Sequence, residues 1–253
     1  MKTNIMARIK LSKIATRAPK GWDKETTKKK LESVITELDE LQNLLYAESK
    51  HAVLVVIQGM DASGKDGLIR DVFGTMNPQG VTVRSFKVPT AEELSHDFLW
   101  RVHQSVPARG MIQVFNRSHY EDVLVTRVHR LIDDKTAYKR MAAINDFEKL
   151  LETHNDTHIL KLYLHVSPEE QIARLKERMS VPEKMWKYNA NDLKESKLWD
   201  SYMEYYDEVF RQCNNPEWHI IPTDQNWYKS YMVAVLLRDL LKSLKMKFPG
   251  MKK

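Results

Sequence analysis

The sequence predicts an α/β fold with three layers, in which helices cover both faces of a parallel five-stranded sheet. Short segments rich in valine and isoleucine alternate with longer segments of helical periodicity along almost the whole chain. The segment AVLVVIQG at 52–59 is a continuous run rich in valine and isoleucine that ends in glycine, which is typical of a strand buried on both faces. It leads directly into the glycine-rich segment GMDASGKDG at 59–67, which predicts a tight loop between a strand and a helix.

The first predicted element is a long amphipathic helix over residues 23–50, ahead of the core. Its apolar side chains recur at helical spacing, and they are Leu31, Val34, Ile35, Leu38, Leu41 and Leu45. After the strand at 52–59, a helix runs from Lys65 to about Met76. The further elements, in order, are strand 81–88, helix 91–106, strand 110–116, helices 120–130 and 135–152, strand 158–166, helix 168–179, strand 217–223 and helix 225–244.

This order predicts a single domain over 1–253, with an N-terminal arm and helix at 1–50. Pro168 stands at a first-turn position, where its missing N–H costs nothing, and so marks the start of the helix at 168–179. A polar, aromatic and basic stretch follows at 180–215. We interpret residues 168–212 as a helical excursion between the fourth and fifth strands.

Composition narrows the class of protein. The chain has 253 residues and no run of eighteen apolar residues, so we expect neither a membrane span nor a membrane partner. Its one cysteine, Cys213, cannot form an internal disulfide, which fits a reducing, cytoplasmic location. The basic N-terminus lacks the apolar stretch of a secretion signal, although an organellar presequence stays open. The net charge of +6 favours polyanionic partners: nucleic acid, anionic lipid or phosphate-rich small molecules.

The loop at 59–67 has the Gly-x4-Gly-Lys pattern of a phosphate-binding loop, in the strand-to-helix context that this pattern requires. Its glycines let backbone N–H groups turn towards an anion, and Lys65 neutralises phosphate oxygens. The alternative is a glycine-rich turn with an exposed lysine. The predicted phosphate- or nucleotide-binding residues of the loop are Gly59, Met60, Ala62, Ser63, Gly64, Asp66 and Gly67.

Two acids stand in this predicted anion site, which is unexpected unless a metal ion accompanies the phosphates. Asp66 replaces the serine or threonine whose hydroxyl usually helps to hold Mg²⁺. Asp61 lies inside the loop itself. Mg²⁺ is commonly held by one or two carboxylates together with phosphates and water, so both acids are candidate ligands, and Asp61 is also a candidate base. For Asp66 the alternative is a helix N-terminal charge that favours the helix dipole.

A second group of polar residues, NRSHYED at 116–122, directly follows the predicted third strand. Functional side chains of open α/β sheets collect just beyond the carboxyl ends of the strands. Arg117 is suited to stabilise charge on a transferring phosphoryl group, and Glu121 and Asp122 are further candidate metal or hydroxyl partners. Asn116 stands where a Walker B strand would end in aspartate. We interpret His119 and its tyrosine neighbour as structural.

Together, GxDxxGKxG after a strand and NRSHYE after the third strand resemble family-2 polyphosphate kinases, and most closely their class III subgroup. The resemblance runs from about 21 to 244. It implies a P-loop kinase fold akin to thymidylate kinase, with a helical lid. It also implies reversible phosphoryl transfer between inorganic polyphosphate and nucleoside mono- and diphosphates, from AMP to ADP to ATP. The implied cofactor is Mg²⁺, with Mn²⁺ as a substitute, and the implied assembly is a homo-dimer or homo-tetramer.

Through this resemblance, Asp61, Lys65 and Arg117 fall on active-site positions of the family. Glu121 replaces an asparagine that is common in the diphosphate-only type, which suggests that Glu121 helps to admit the monophosphate. Many members of the family have aspartate where this chain has Asn116, so the second metal ligand beside Asp61 stays open between Asp66 and Glu121.

The predicted lid contributes Arg174 and Arg178, which are four residues apart and share a helix face. They either point at the transferring phosphate or pair with nearby glutamates; the resemblance favours a catalytic role for Arg178. The predicted polyphosphate-binding residues are Arg84, Lys87, Arg127, Arg130 and Arg174. The alternative for each of these cations is a solubility charge on the surface.

Two other functions fit part of the pattern. One is an ATP-dependent kinase of a small metabolite or nucleotide on the same fold. The other is a nucleotide- or nucleic-acid-binding module without catalysis, which the basic charge would suit. The sequence has neither an Asn-Lys-x-Asp guanine signature nor an RNP-like pattern, so we expect no nucleic-acid partner.

Overall fold

The computed structural model describes residues 10–251, and its centre is one five-stranded sheet in which all strands are parallel. The strand order is β2-β3-β1-β4-β5. The strands are β1 (Ala52–Gln58), β2 (Val81–Ser85), β3 (Ile112–Asn116), β4 (Thr157–His165) and β5 (Trp218–Pro222). The predicted α/β class with a parallel five-stranded sheet is therefore confirmed.

Eleven α-helices connect and cover these strands in the described part of the chain. They are α1 (Lys24–Glu48), α2 (Lys65–Phe73), α3 (Ala91–Ser95), α4 (Trp100–His103), α5 (Val125–Val128), α6 (Asp134–Asn155), α7 (Pro168–Ser180), α8 (Pro182–Met185), α9 (Ala190–Glu195), α10 (Trp199–Gln212) and α11 (Asn226–Ser243). Short 3-10 helices occupy Leu11–Lys13, His119–Val123 and Ser196–Leu198.

Strand β1 lies in the middle of the sheet, and all seven of its residues are buried. Leu54 and Val56 face one hydrophobic core, which includes residues of α6 and α10. Val53 and Val55 face the other core, which includes residues of α1, α2 and α11. A strand with apolar contacts on both faces needs apolar residues at every position, which explains the continuous run in the sequence.

The predicted helix over 91–106 is wrong in its continuity, because the structure divides it into α3 and α4. Thr90 and Glu93 form a reciprocal capping box that starts α3. His96 is then extended, and the Asp97 side chain accepts from the Leu99 N–H at 2.9 Å. This local hydrogen bond competes with the continuing helix and begins a new turn instead.

The predicted helix over 120–130 is likewise a 3-10 helix at His119–Val123 followed by α5. The Ser118 hydroxyl accepts from the Tyr120 N–H at 3.2 Å and starts the first of these turns. Leu124, with φ −108° and ψ −76°, separates the two helices. The result places the residues after β3 in a tight turn at the carboxyl edge of the sheet.

The connection from β4 to β5 contains α7, α8, α9 and α10, so the polar stretch after residue 180 is mostly helical. Tyr202, Tyr206 and Phe210 recur every four residues along α10 and are buried against the core.

Two further features bear on the expectations drawn from composition: the absence of a membrane span and the single cysteine. Among the described residues, no helix combines the length and the apolar character that crossing a membrane would require. Cys213 is completely buried, and burial raises the pKa of its thiol to about 12. The thiol is therefore protonated at neutral pH and unreactive.

Candidate active site

The loop between β1 and α2 has a backbone conformation that requires two of its glycines. Gly59 has φ 151°, and a Cβ atom there would lie 2.8 Å from the Leu164 carbonyl oxygen. Gly64 has φ 94°, in the left-handed region that glycine adopts without strain. Ala62, with φ 61°, also takes a left-handed conformation. The resulting tight turn holds the residues between the two glycines close to the N-terminus of α2.

Lys65 lies at the first position of α2, and its side chain folds back over the loop. Its Nζ donates to the carbonyl oxygens of Gly59 at 2.8 Å and Met60 at 3.0 Å. Burial, assisted by the positive charge of Arg117, lowers the pKa of Lys65 to about 8. Both hydrogen bonds use backbone oxygens, so the ammonium group has no direct anionic partner here. Such a buried cation is suited to attract a phosphate group.

A second buried lysine beside the loop, Lys229 of α11, was not anticipated from the sequence. Its Nζ donates to the Gly64 carbonyl oxygen and to Asn226 Oδ1, both at 2.9 Å. Burial, then the neighbouring Arg174 charge, lowers its pKa to about 8. Lys229 precedes Val233 by four residues on the buried face of α11. A lysine within an apolar helical stripe was the signal that could have identified it.

Arg117 connects the loop to the residues that follow β3. Its Nη2 bonds to Asp61, and its Nη1 lies 3.0 Å from Glu121 Oε2. Arg117 itself has φ 63°, a left-handed conformation that is uncommon for a residue with a long side chain. Glu121, and after it Asp61, raises the pKa of the guanidinium above its ordinary value. One cation thus holds two carboxylates together.

The charge state of Asp61 follows from this arrangement. Burial alone would raise the pKa of Asp61, but the cations Arg117, Lys65 and Arg178 outweigh that effect and leave the pKa below its ordinary value. Asp61 is therefore ionised at neutral pH. An ionised carboxylate can bind a metal ion, whereas it accepts protons only weakly in this environment.

Gln58, the last residue of β1, fixes the position of Glu121. With its amide oriented to satisfy both of its polar ends, Gln58 donates to Glu121 Oε1 at 2.8 Å and accepts from Ser118 Oγ at 2.9 Å. Each oxygen of Glu121 therefore has a donor, one from Gln58 and one from Arg117. Glu121 is held rigidly, as a specificity or metal-binding residue needs to be.

Asp66 lies in a separate cluster at the first turn of α2. Its Oδ1 accepts from Asn116 Nδ2 at 3.0 Å, and its Oδ2 pairs with Lys187 Nζ at 3.0 Å. Burial would raise the pKa of Asp66, but Lys187 and Asn116 lower it below its ordinary value. In many P-loop enzymes, a serine or threonine and a Walker B aspartate hold Mg²⁺ at these two places. In this chain the carboxylate, Asp66, stands at the serine or threonine position, and a neutral amide, Asn116, stands at the aspartate position.

The two arginines of α7 have different partners. Arg174 pairs with Glu170 at 2.8 Å and also donates to the carbonyl oxygens of Ala62 at 3.1 Å and Thr223 at 2.6 Å. Through its contact with Ala62, Arg174 thus stabilises the backbone of the phosphate loop. Arg178 pairs with Asp192 of α9 at 2.7 Å, and its charge contributes to lowering the pKa of Asp61.

A cleft opens beside these groups, between the phosphate loop and the helices after β4. Glu195 of α9 contributes to its wall and accepts from the Tyr202 hydroxyl at 2.8 Å. The lining residues are Gly59, Met60, Asp61, Arg117, Glu121, Val125, Glu195, Tyr202 and Tyr206. Backbone, carboxylates, one guanidinium and aromatic rings together give a site that could receive a nucleotide.

Several predicted site residues lie elsewhere. Asp122 faces a second cleft, 3.5 Å from Arg101 Nη2, and burial raises its pKa. Arg127 is 5% exposed and binds Glu208 and Asp134, so it presents no free charge to a surface groove. The predicted groove cations that are exposed are Arg84, Lys87 and Arg130.

His119 and Tyr120 have structural roles, as expected. Glu148 of α6 lies 3.2 Å from His119 Nε2, accepts from the Tyr120 hydroxyl at 2.7 Å, and pairs with Lys161 of β4 at 2.8 Å. These side chains are fully buried. The network anchors the turn that carries Arg117 and Glu121 to the sheet and to α6.

Comparison with known proteins adds to this geometry. The family described as Polyphosphate kinase 2 (PPK2) matches residues 21–249. A relative from Meiothermus ruber, named AMP/ADP-polyphosphate phosphotransferase, is 50% identical over 214 residues, which are 84% of this chain and 80% of the relative. A relative from Rhodopseudomonas palustris, named ADP-polyphosphate phosphotransferase, is 40% identical over 257 residues, covering 96% of this chain and 89% of the relative.

A solved structure agrees with these sequence matches. The crystal structure of Polyphosphate Kinase 2 from Arthrobacter aurescens TC1 superposes with a TM-score of 0.92 at 39% identity. The superposition covers 98% of this chain and 90% of that chain. The similarity therefore includes the helices between β4 and β5 as well as the sheet.

Proposed function

Because this chain belongs to the polyphosphate kinase 2 family, we propose that it transfers phosphoryl groups between inorganic polyphosphate and nucleoside mono- and diphosphates, from AMP to ADP to ATP and in reverse. The observation that carries this proposal is the contact of Arg117 with both Asp61 and Glu121 beside the buried Lys65. The names of the relatives support polyphosphate as the phosphoryl donor.

Phosphoryl transfer requires positioning and cations more than covalent catalysis. Lys65 is buried at the helix N-terminus, where backbone N–H groups also favour an anion. Arg117 has its guanidinium beside the loop, and Arg178 approaches from α7. We assign these three side chains to the charge that develops on the transferring group. The loop itself, from Gly59 to Gly67, positions the phosphates.

The donor set of the site fits Mg²⁺, since Asp61, Asp66 and Glu121 all supply the hard oxygen ligands that this ion prefers. At present each carboxylate has a side-chain cation as its partner: Arg117 for Asp61 and Glu121, and Lys187 for Asp66. We propose that Asp61 holds Mg²⁺ or Mn²⁺, together with Asp66 or Glu121. When bound, the ion would supply positive charge that offsets the negative charge of the phosphates.

The acceptor range is a finer part of the proposal. Glu121 is held at both oxygens, and it lines the cleft together with Tyr202 and Tyr206. The relative from Meiothermus ruber, whose name includes both AMP and ADP, is the more similar of the two relatives in identity. We propose that Glu121 helps to admit the monophosphate.

The environment and assembly of the protein are also proposals. We propose that it acts in the cytoplasm, as a homo-dimer or homo-tetramer, without a membrane or nucleic-acid partner. The lone, buried Cys213 is consistent with a reducing compartment. Sedimentation-velocity measurements would determine the assembly, and a monomer at micromolar concentration would contradict this part.

The direct test is an assay that contains no ATP at the start. Purified protein, AMP, Mg²⁺ and long-chain polyphosphate should yield ADP and then ATP, separated by chromatography. The matched variant Asp61→Asn preserves size but removes a charge, and it should keep the fold by circular dichroism while losing turnover. Formation of ADP from AMP with ATP but not with polyphosphate would instead establish the ATP-dependent kinase.

A further inference from the structure

A group of three polar side chains lies at the opposite edge of the sheet from the candidate active site. His51 immediately precedes β1, Asp156 lies between α6 and β4, and His158 is the second residue of β4. The parallel pairing sets Ala52 opposite Thr157, so His51 and Asp156 enter the sheet side by side. The phosphate loop follows the other end of β1, seven residues away along the strand, which is roughly 20 Å.

The potential ligand atoms of these residues converge. His51 Nδ1 lies 2.7 Å from Asp156 Oδ2 and 3.3 Å from His158 Nε2. His158 Nε2 lies 3.6 Å from Asp156 Oδ1. Tetrahedral Zn²⁺ binds nitrogen and oxygen at about 2.0–2.2 Å, which separates its ligand atoms by about 3.3–3.5 Å. The distance between the two imidazole nitrogens thus already matches the distance between two ligands of one tetrahedral Zn²⁺ ion.

The backbone around these side chains is fixed by hydrogen bonds to neighbouring elements. The Asp156 N–H donates to the Leu151 carbonyl oxygen, and the Asp156 carbonyl oxygen accepts from the Ala52 N–H at 3.1 Å. The His51 carbonyl oxygen accepts from the Gly110 N–H at 2.7 Å. Ligands on a rigid frame lose little freedom when they bind an ion.

The position of Asp156 is a second, independent observation that favours a cation. It is the C-cap of α6 and has φ 52°, a left-handed conformation that glycine or asparagine usually provides. A helix C-terminus carries negative potential, so an aspartate there is electrostatically unfavourable. A bound cation would remove this conflict, because it would neutralise both the carboxylate and the helix end.

We propose that His51, Asp156 and His158 bind one divalent transition-metal ion, with Zn²⁺ as the best match. Imidazole ligands favour Zn²⁺, Cu²⁺ and Ni²⁺ over Mg²⁺, so this site differs in chemistry from the carboxylate site at the phosphate loop. The side chains of His51 and His158 are 21% and 32% exposed, and that of Asp156 is 50% exposed. An ion can therefore enter from solvent and keep water at its remaining position. Bound there, the ion links the start of β1, the start of β4 and the end of α6.

The test uses untagged, chelator-treated, full-length protein and Zn²⁺ alone. Equilibrium dialysis with metal analysis should give one equivalent of Zn²⁺. Zn²⁺ at a hundredfold excess over its Kd should raise Tm by about 5–10 °C. His158→Gln should lose the bound equivalent and the shift in Tm, and His51→Gln should do the same. Asp61→Asn should retain both, which separates this site from the phosphate loop.

A measurement on the wild-type protein covers the case in which a histidine variant fails to fold. Electron paramagnetic resonance of added Cu²⁺ should show superhyperfine coupling to two imidazole nitrogens. Retention of the bound Zn²⁺ in folded His158→Gln would overturn the proposal. So would a Cu²⁺ spectrum without nitrogen coupling, or a wild-type protein that binds no Zn²⁺ at millimolar concentration.

Discussion

Lys65 offers a quantitative test of how the phosphate site is charged in the absence of ligand. The substitution Lys65→Met keeps the unbranched shape and most of the length of the side chain and removes its charge. In the folded protein, burial lowers the pKa of this lysine from 10.5 to about 8. Folding therefore disfavours the protonated form of Lys65 at neutral pH, and this cost is absent from the variant.

The magnitude follows from the two pKa values. Below pH 8 the lysine is charged in both states, and 2.5 units at 1.36 kcal/mol each make the cost of keeping it charged about 3 kcal/mol. Between the two pKa values the unfolded chain binds the extra proton, so the wild type gains stability as the pH rises. From about pH 7 to about pH 9.5 the gain is about 2 kcal/mol, and it is complete only above pH 10.5.

Urea unfolding of both proteins at these two pH values measures the effect as a difference of differences. Groups that titrate in both proteins cancel, and the part of the comparison that changes with pH reports the titration of Lys65. Lys149→Met, which removes an exposed lysine on α6, serves as the control. Parallel pH dependences for the wild type and Lys65→Met would refute the reasoning.

Three further changes have defined outcomes. Arg117→Lys should lower kcat about 100-fold or more with little change in Tm, because an ammonium cannot bridge Asp61 and Glu121 as the guanidinium does; an unchanged kcat would count against its role. Glu121→Asn should lower kcat/KM for AMP about tenfold relative to ADP, since the proposed acceptor contact is lost; an unaltered ratio would remove Glu121 from acceptor choice. Lys161→Met should destabilise the protein by about 3–5 kcal/mol in urea unfolding, because Glu148 stays buried without its partner. Adding Glu148→Gln should recover part of that loss, and additive effects of the two changes would contradict the pairing.

The sheet was predictable because burial acts on local composition. Strand β1 contacts a core on each face, and its run of six apolar residues at 52–57 reflects this directly. The phosphate loop was predictable for a similar reason, since its glycines are required by the positive φ angles of the loop itself. By contrast, the break between α3 and α4 depends on one side-chain hydrogen bond of Asp97, which competes with an otherwise good helical pattern.

The partners of the site residues could not be predicted, because they come from distant parts of the chain. Asp61 and Arg117 are 56 residues apart, Asp66 and Lys187 are 121 apart, and Gly64 and Lys229 are 165 apart. Charge patterns in a sequence identify which side chains could pair, but the fold decides which ones meet. For this reason the buried ion pairs of Arg127 were not distinguishable from an exposed, polyphosphate-binding charge.

The internal pairing of the loop acids has a consequence for how ligands arrive. Asp61 and Glu121 already share Arg117, and Asp66 already has Lys187. If the proposed Mg²⁺ binds these carboxylates, the side-chain cations that now pair with them would become available to the phosphates of the substrate. Such an exchange would replace one set of ion pairs by another. Reversible binding of this kind would suit the proposed polymeric donor.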